Sequence, residues 1–138
     1  MKACFMGLGY IGLPTAIIAA KHGVEIVGVD INPAVVEMTN QGKLHIIEPG
    51  MEEMLQDVVK SGMLHASTTP ETSDAYFIVV PTPFKGDHEP DISYVESATR
   101  MVIPLNSPYP KCWRIFPERR RPPSWRRTFR RSFPLRLP

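Results

Sequence analysis

The chain has 138 residues, 43% of them apolar, and a net charge of +2, about one globular domain's worth of an ordinary soluble composition. No apolar run approaches the ~20 residues of a membrane-spanning helix, and the N-terminus enters an apolar strand without the layout of a secretory leader. Two cysteines, Cys4 and Cys112, are too few for a disulfide framework, so a reduced, cytoplasmic setting and no membrane partner are expected.

The small net charge hides two unlike regions. Residues 1–103 carry 6 basic and 13 acidic side chains, whereas residues 104–138 carry 10 and 1. Such a split predicts a folded domain over 1–103 and a separate Arg/Pro-rich tail over 104–138.

Lys2 to Met6 is a short apolar run that predicts a first strand. Gly7, Gly9 and Gly12 follow at GxGxxG spacing, and Ile11 to Ala20 is apolar and Ala-rich, long enough for a helix. Val24 to Val29 is a β-branched second strand closed by Asp30. A dinucleotide needs this layout. Gly7 allows the tight turn off the strand, Gly9 lets a pyrophosphate approach the backbone, and Gly12 lets the helix pack close to the sheet. The helix N-terminus presents N–H groups and a positive dipole end to phosphates. Asp30, 18 residues past Gly12, stands where an acid accepts the ribose hydroxyls. A carboxylate there would repel a 2′-phosphate, so NAD is expected over NADP. A lone GxGxxG is a weak signal; the flanking strands, helix and acid strengthen it. The plainer reading is a glycine turn with Asp30 capping the next helix.

Asn32 and Pro33 read as an N-cap and first helical residue, with Val35, Val36 and Thr39 facing inward and an end near Gly42. Met51, Met54, Leu55, Val58 and Val59 form a helical stripe, and Gly62 is placed as its C-terminal cap. The methionines are read as core filling. Met63 to Ser67 predicts a weak third strand. Tyr76 to Val80 (YFIVV) is a continuous apolar run, the pattern of a central parallel strand covered on both faces. Pro81-Thr82-Pro83 ends it at the carboxyl edge of the sheet, where ligands sit; Thr82 either reaches the cofactor or merely stops the strand.

Phe84 to Asp91 reads as a polar loop that could touch a substrate, though its spacing favours a solvated one. His22, His45 and His65 are scattered without ligand-like partners, so no metal is expected. A last helix starts near Asp91 or Ser93, with Ser93 and Glu96 as a capping box and Ile92, Val95, Val102 and Ile103 as the apolar face. From Pro104 onward periodicity stops. Eight of the last 35 residues are Pro and nine are Arg, which predicts disorder. Trp113, Phe116, Trp125, Phe129 and Phe133 interleaved with Arg could stack on bases. An out-of-frame sequence or a solvated basic tail explains the same pattern, and a nucleic-acid partner is disfavoured.

Four separated motifs, GLGYIGLPTA, VGVDIN, LHIIEPG and VPTPFKGDHEPD, agree in order and spacing with one family. Over about residues 1–105 the chain resembles the N-terminal part of the bacterial UDP-glucose/GDP-mannose dehydrogenase family. Its PTPFKGDHEPD loop is most similar to the branch that oxidises UDP-N-acetyl-D-mannosamine. The resemblance implies a cytoplasmic enzyme that takes C6 of a UDP-sugar from alcohol to carboxylate in two steps, consuming two NAD, for surface polysaccharides. It also implies Tyr10, Ile11, Asp30 and Thr82 as NAD contacts. The family's next strand, its EST-like NAD contact, its dimerising helix, its sugar-binding domain and its GGHC-type nucleophile have no counterpart in this sequence. Cys112, in YPKCWR, does not match that nucleophile.

The expected fold is α/β: an incomplete doubly wound, Rossmann-like parallel sheet with helices on both faces, in the order third, second, first, then the YFIVV strand. If the strand that should follow Ile103 is missing, YFIVV becomes an edge, with poor solubility and weak NAD affinity as consequences. The expected function is the NAD-binding portion of a UDP-sugar dehydrogenase, inactive alone. The alternative is a stand-alone NAD-binding module with a basic interaction tail. A short-chain dehydrogenase is set aside, because no Tyr is followed four residues later by Lys.

Overall fold

The structure is a computed structural model, and it describes residues 1–86 and 89–105. In chain order these form β1 (Lys2–Met6), α1 (Gly12–Lys21), β2 (Glu25–Val29), α2 (Pro33–Asn40), α3 (Met51–Lys60), β3 (Leu64–Ser67), β4 (Ala75–Ile78), β5 (Phe84–Lys85), β6 (Glu89–Pro90) and α4 (Ser93–Val102). The sheet is parallel in the order β3-β2-β1-β4, as the sequence predicts.

Alternation along β1 sorts the core into two faces. Ala3 and Phe5 point to one side, with Ile26, Leu64 and Ala66 from the neighbouring strands; Leu13, Ala16 and Ile17 of α1 and Leu55 and Val58 of α3 cover them. Cys4, Met6, Val27 and Val29 point to the other, where Ala98 and Val102 of α4 cover them. The crossover from β1 to β2 therefore lies on one face and α4 on the opposite one. That reversal makes the carboxyl ends of β1 and β4 the switch point of the sheet.

The α3 stripe behaves as its spacing predicts: Met51, Leu55 and Val58 are buried, while Met54 and Val59 pack against the core. Thr39 is fully buried, and its hydroxyl donates to the Val35 carbonyl at 2.8 Å. α1, α2 and α3 end alike. At the end of α3, the Gly62 N–H donates to the Val59 carbonyl and the Met63 N–H to that of Val58, with Gly62 at φ 73°. This is the left-handed helix stop that glycine makes cheaply.

The two sheet edges differ. At β3, the Asn40 side chain takes the place of a neighbouring strand. Its Nδ2 donates to the Ala66 carbonyl at 2.9 Å, and its Oδ1 accepts from the Ala66 N–H at 2.7 Å. At β4, the expectation of a strand covered on both faces is corrected. Among the described residues only β1 pairs with it, and Phe77 is 45% exposed. Phe77 stacks on Phe5, opposite it in register, with ring centroids 4.6 Å apart. β4 is also shorter than YFIVV: Val79 keeps one bond to the Met6 carbonyl, 2.8 Å, and lies beyond the strand.

Three further expectations change. The Phe84–Asp91 loop contains a small antiparallel pair, β5 with β6, joining Phe84 to Pro90 and Lys85 to Glu89; period-2 patterning over two residues is too short to see. The Ser93–Glu96 capping box does not form. Ile92 is the N-cap, and Asp91 Oδ1 accepts from the Ser93 N–H at 2.9 Å. The inward face of α4 is Ala98 and Val102, whereas Ile92 and Ile103 are exposed. Asp87, His88 and residues 106–138, with Cys112 and the Trp113, Phe116, Trp125, Phe129 and Phe133 series, lie outside the described residues.

Candidate functional site

The glycine turn leaves β1 at the switch point. Gly7 has φ 108°, a conformation only glycine adopts without strain, and its N–H donates to the Val29 carbonyl at 2.7 Å. A Cβ on Gly7 would collide with the Val79 carbonyl oxygen. A Cβ on Gly12 would collide with the Gly7 carbonyl oxygen and reach within 3.6 Å of Val79 Cβ. These two glycines are therefore required by the protein's own packing: the turn folds back on itself and wedges against the end of β4. Gly9 differs, because a Cβ there would meet nothing within 4 Å. Its missing side chain leaves room for something outside the turn, the space that a pyrophosphate approaching the backbone needs.

The entry to α1 is suited to an anion. Its N-cap, Ile11, makes no side-chain capping bond, and the first turn holds no acid, so the positive end of the helix dipole is not neutralised locally. Tyr10 and Ile11, at the crest of the turn, are both exposed.

Asp30 ends β2 beside the turn. Its Oδ2 accepts from the Leu8 N–H at 3.0 Å and its Oδ1 from the Asn32 N–H at 2.9 Å. The capping of α2 falls to Asn32, whose Oδ1 accepts from the Ala34 N–H at 3.0 Å. Asp30 is thus tied to the glycine turn itself, beyond any capping role. Each carboxylate oxygen keeps acceptor capacity for a hydroxyl. Thr82 is exposed, three residues past the Val79 that touches Gly7. The structure so brings Gly7, Gly12 and the segment leading to Thr82 to one strand end, with Asp30 bonded to the same turn. The residues fit a dinucleotide: room over Gly9, an uncapped helix start and a carboxylate at the second strand.

Two residues of this neighbourhood were not singled out from the sequence, Leu8 and Gly28. Leu8 is fully buried, and a Cβ on Gly28 would lie 2.8 Å from Leu8 Cδ2. A signal existed: a lone glycine inside a β-branched run marks a close approach.

The other strand ends carry a charge cluster. Lys2 Nζ pairs with Glu71 Oε2 at 2.8 Å and Glu25 Oε1 at 3.5 Å, and His65 Nε2 lies 3.0 Å from Glu71 Oε1. His65 therefore has a hydrogen-bond partner in Glu71, which the sequence spacing concealed. The hydrogen bond from Lys2, and then that from His65, holds the Glu71 carboxyl below its ordinary value; the bond to Glu71 holds Lys2 above its own. Cys4 is fully buried, and burial pushes its thiol up. Among the described residues no helix is long and apolar enough to cross a membrane.

Comparison with known proteins agrees with this geometry. The model of the UDP-glucose/GDP-mannose dehydrogenase family, NAD binding domain, matches residues 1–108. The UDP-N-acetyl-D-mannosamine dehydrogenase of Campylobacter jejuni is 52% identical over 102 residues, covering 73% of this chain and 25% of that protein. The enzyme of the same name from Escherichia coli K12 is 53% identical over 100 residues, covering 72% and 24%. The native structure of the UDP-N-acetyl-mannosamine dehydrogenase from Staphylococcus aureus superposes with a TM-score of 0.74 at 47% identity, over 76% of this chain and 26% of that one. The chain spans about a quarter of the length of the curated relatives it matches.

Proposed function

The chain belongs to the UDP-glucose/GDP-mannose dehydrogenase family, and on that premise we propose that it is the NAD-binding portion of a UDP-N-acetyl-D-mannosamine dehydrogenase. The observation that carries the cofactor reading is the glycine turn: Gly7 and Gly12 are fixed by internal packing, while Gly9 faces open space. Gly7, Gly9, Tyr10, Ile11 and Gly12 would hold the pyrophosphate, Asp30 would accept the ribose hydroxyls, and Thr82, four residues past β4, would contact the cofactor. NAD supplies the hydride acceptor when bound. The chain's own residues would bind and orient it: the positive end of the α1 dipole, with no side-chain cap and no acid in the first turn, would meet the phosphates, and the Asp30 carboxylate would select a free 2′-hydroxyl over a 2′-phosphate.

The substrate is a UDP-sugar oxidised at C6 from alcohol to carboxylate in two steps, in the cytoplasm, for surface polysaccharide. Residues 1–103 are the cofactor domain and residues 104–138 a separate segment. Oxidation of the sugar needs a nucleophile aligned with the nicotinamide. Among the described residues the one cysteine, Cys4, is buried in the sheet, so the chain alone is expected to bind NAD without turning over a UDP-sugar.

Two measurements test the reading. Isothermal titration should give saturable NAD binding with NADP at least tenfold weaker, and an NADH absorbance assay with UDP-N-acetyl-D-mannosamine should stay flat. No NAD binding by a folded chain removes the cofactor reading; steady NADH production removes the restriction to cofactor binding. Repeating the NAD titration without residues 104–138 checks that those residues play no part in cofactor binding.

A further inference from the structure

Gly28 in β2 and Asp30 just past its end both hold one residue of the glycine turn, Leu8. Leu8 stands between the first two glycines of the motif, and its side chain is completely buried in the core under α1. It occupies the space over Gly28, where a Cβ would lie 2.8 Å from Cδ2, 3.1 Å from Cδ1 and 3.4 Å from Cγ of Leu8. Gly28 is not among the glycines with positive φ. It sits in regular β2 backbone, opposite Phe5 on one side and Ala66 on the other. Alanine would suit that backbone, so room for Leu8 is what keeps a glycine here. Two residues further along the same face of β2, Asp30 Oδ2 accepts the Leu8 N–H at 3.0 Å. The next residue after Leu8 is Gly9.

We propose that Gly28 is a positioning residue for the cofactor: by admitting the Leu8 side chain into the sheet face, it sets the height of the Leu8–Gly9 backbone and aims the Leu8 N–H at Asp30. The proposal rests on the NAD reading of this turn and deepens it. A methyl at position 28 pushes on the far end of Leu8. Because that side chain is fully enclosed, the displacement passes into the Leu8 backbone. The Leu8 N–H then leaves Asp30, and the Gly9 surface that meets the pyrophosphate shifts with it.

The test is a double-mutant cycle on the full chain with Gly28→Ala, Leu8→Ala and the double variant, reading NAD affinity by titration and thermal midpoint separately. Gly28→Ala should weaken NAD about tenfold, within the range that contacting residues give when coupled. In the Leu8→Ala background the same change should cost less than about twofold, because the space is free. The double variant should thus bind NAD within about twofold of Leu8→Ala, while its midpoint stays below that of the original chain. A purely structural role would make affinity follow the midpoint. An equal loss of affinity in both backgrounds, or none in either, overturns the proposal. If Gly28→Ala does not fold, Leu8→Val and Leu8→Ala carry the test: affinity should fall stepwise as the Leu8 side chain shortens, and unchanged affinity in folded Leu8→Ala overturns it. Absence of NAD binding by the unaltered chain would remove the cofactor reading and this proposal together. Binding by that chain with an uncoupled cycle removes the proposal alone.

Discussion

Replacing Asp30 by alanine removes the acceptor of two backbone N–H groups, Leu8 at 3.0 Å and Asn32 at 2.9 Å. Hydrogen bonds to a charged partner contribute roughly 1.5–3 kcal/mol each when they are lost in isolation. The Asn32 N–H is exposed, so water replaces much of that bond. The Leu8 N–H is partly buried and recovers less. A stability loss of about 1–2 kcal/mol is expected, nearly all from the Leu8 bond. Binding loses more, because the ribose acceptor disappears as the turn loosens; a further ~1.5–3 kcal/mol corresponds to roughly 10- to 100-fold weaker NAD. Asp30→Asn keeps one acceptor oxygen without the charge. It should fall between the two for NAD and narrow the gap between NAD and NADP. Urea unfolding and parallel titrations of NAD and NADP measure all three quantities. Asp30→Ala binding NAD within twofold of the original, with unfolding shifted by less than about 0.5 kcal/mol, would show that the carboxylate neither braces the turn nor reads the ribose.

Leu55→Ala removes a fully buried side chain of α3 from the larger core cluster and should cost about 2–5 kcal/mol in urea unfolding; a loss under 1 kcal/mol contradicts the packing described. Cys4, in a Cys112→Ser background, should resist a thiol-specific reagent until denaturant is added, because burial disfavours its thiolate; rapid labelling of the native chain contradicts this. Glu71→Gln should lower the thermal midpoint over a limited pH range. The Glu71 carboxyl lies below its ordinary 4.5, so its contribution is present above that value and is lost as pH falls through the folded one. Lys2 lies above its ordinary 10.5, so its contribution is full below that value and is lost as pH rises through the folded one. The difference in midpoint between the original and Glu71→Gln should close at both ends, and a constant difference down to pH 2 removes Glu71 as its source.

Local signals made the fold legible. The strand–glycine–helix–strand run, the α3 stripe and the glycine helix stops at Gly42 and Gly62 each depend on neighbours within a few residues, and each appears where its spacing places it. What escaped depended on distant partners. The bond of Asn40 to Ala66 spans 26 residues and that of His65 to Glu71 joins a strand to a loop; neither leaves a periodic trace. The capping box at Ser93 failed because Asp91, two residues earlier, takes the Ser93 N–H that the Glu96 side chain would have bonded. At the candidate site, the glycines and Asp30 were legible because GxGxxG spacing between a strand and a helix, and an acid closing the second strand, are local patterns. Leu8 and Gly28 were not, because a leucine in a turn and a glycine in a strand are each unremarkable until they touch.

That contact changes what the glycine motif means physically. Each glycine answers a different constraint: Gly7 and Gly12 answer the protein's own backbone, and Gly9 answers open space. A turn built only for a ligand would relax without it. Here the turn is wedged by Val79, held by the Val29 carbonyl and bonded through Leu8 to Asp30, all of them contacts of the chain with itself. The ordering entropy of the turn is thus met on folding, and less of it remains to oppose binding. It follows that mutations at Gly7 or Gly12 should act first on stability and only through it on affinity, whereas a side chain at Gly9 should leave stability nearly unchanged and abolish NAD binding. Thermal midpoints and NAD titrations of Gly12→Ala and Gly9→Val separate the two classes. A Gly9→Val chain that binds NAD normally would place the pyrophosphate somewhere other than over this turn.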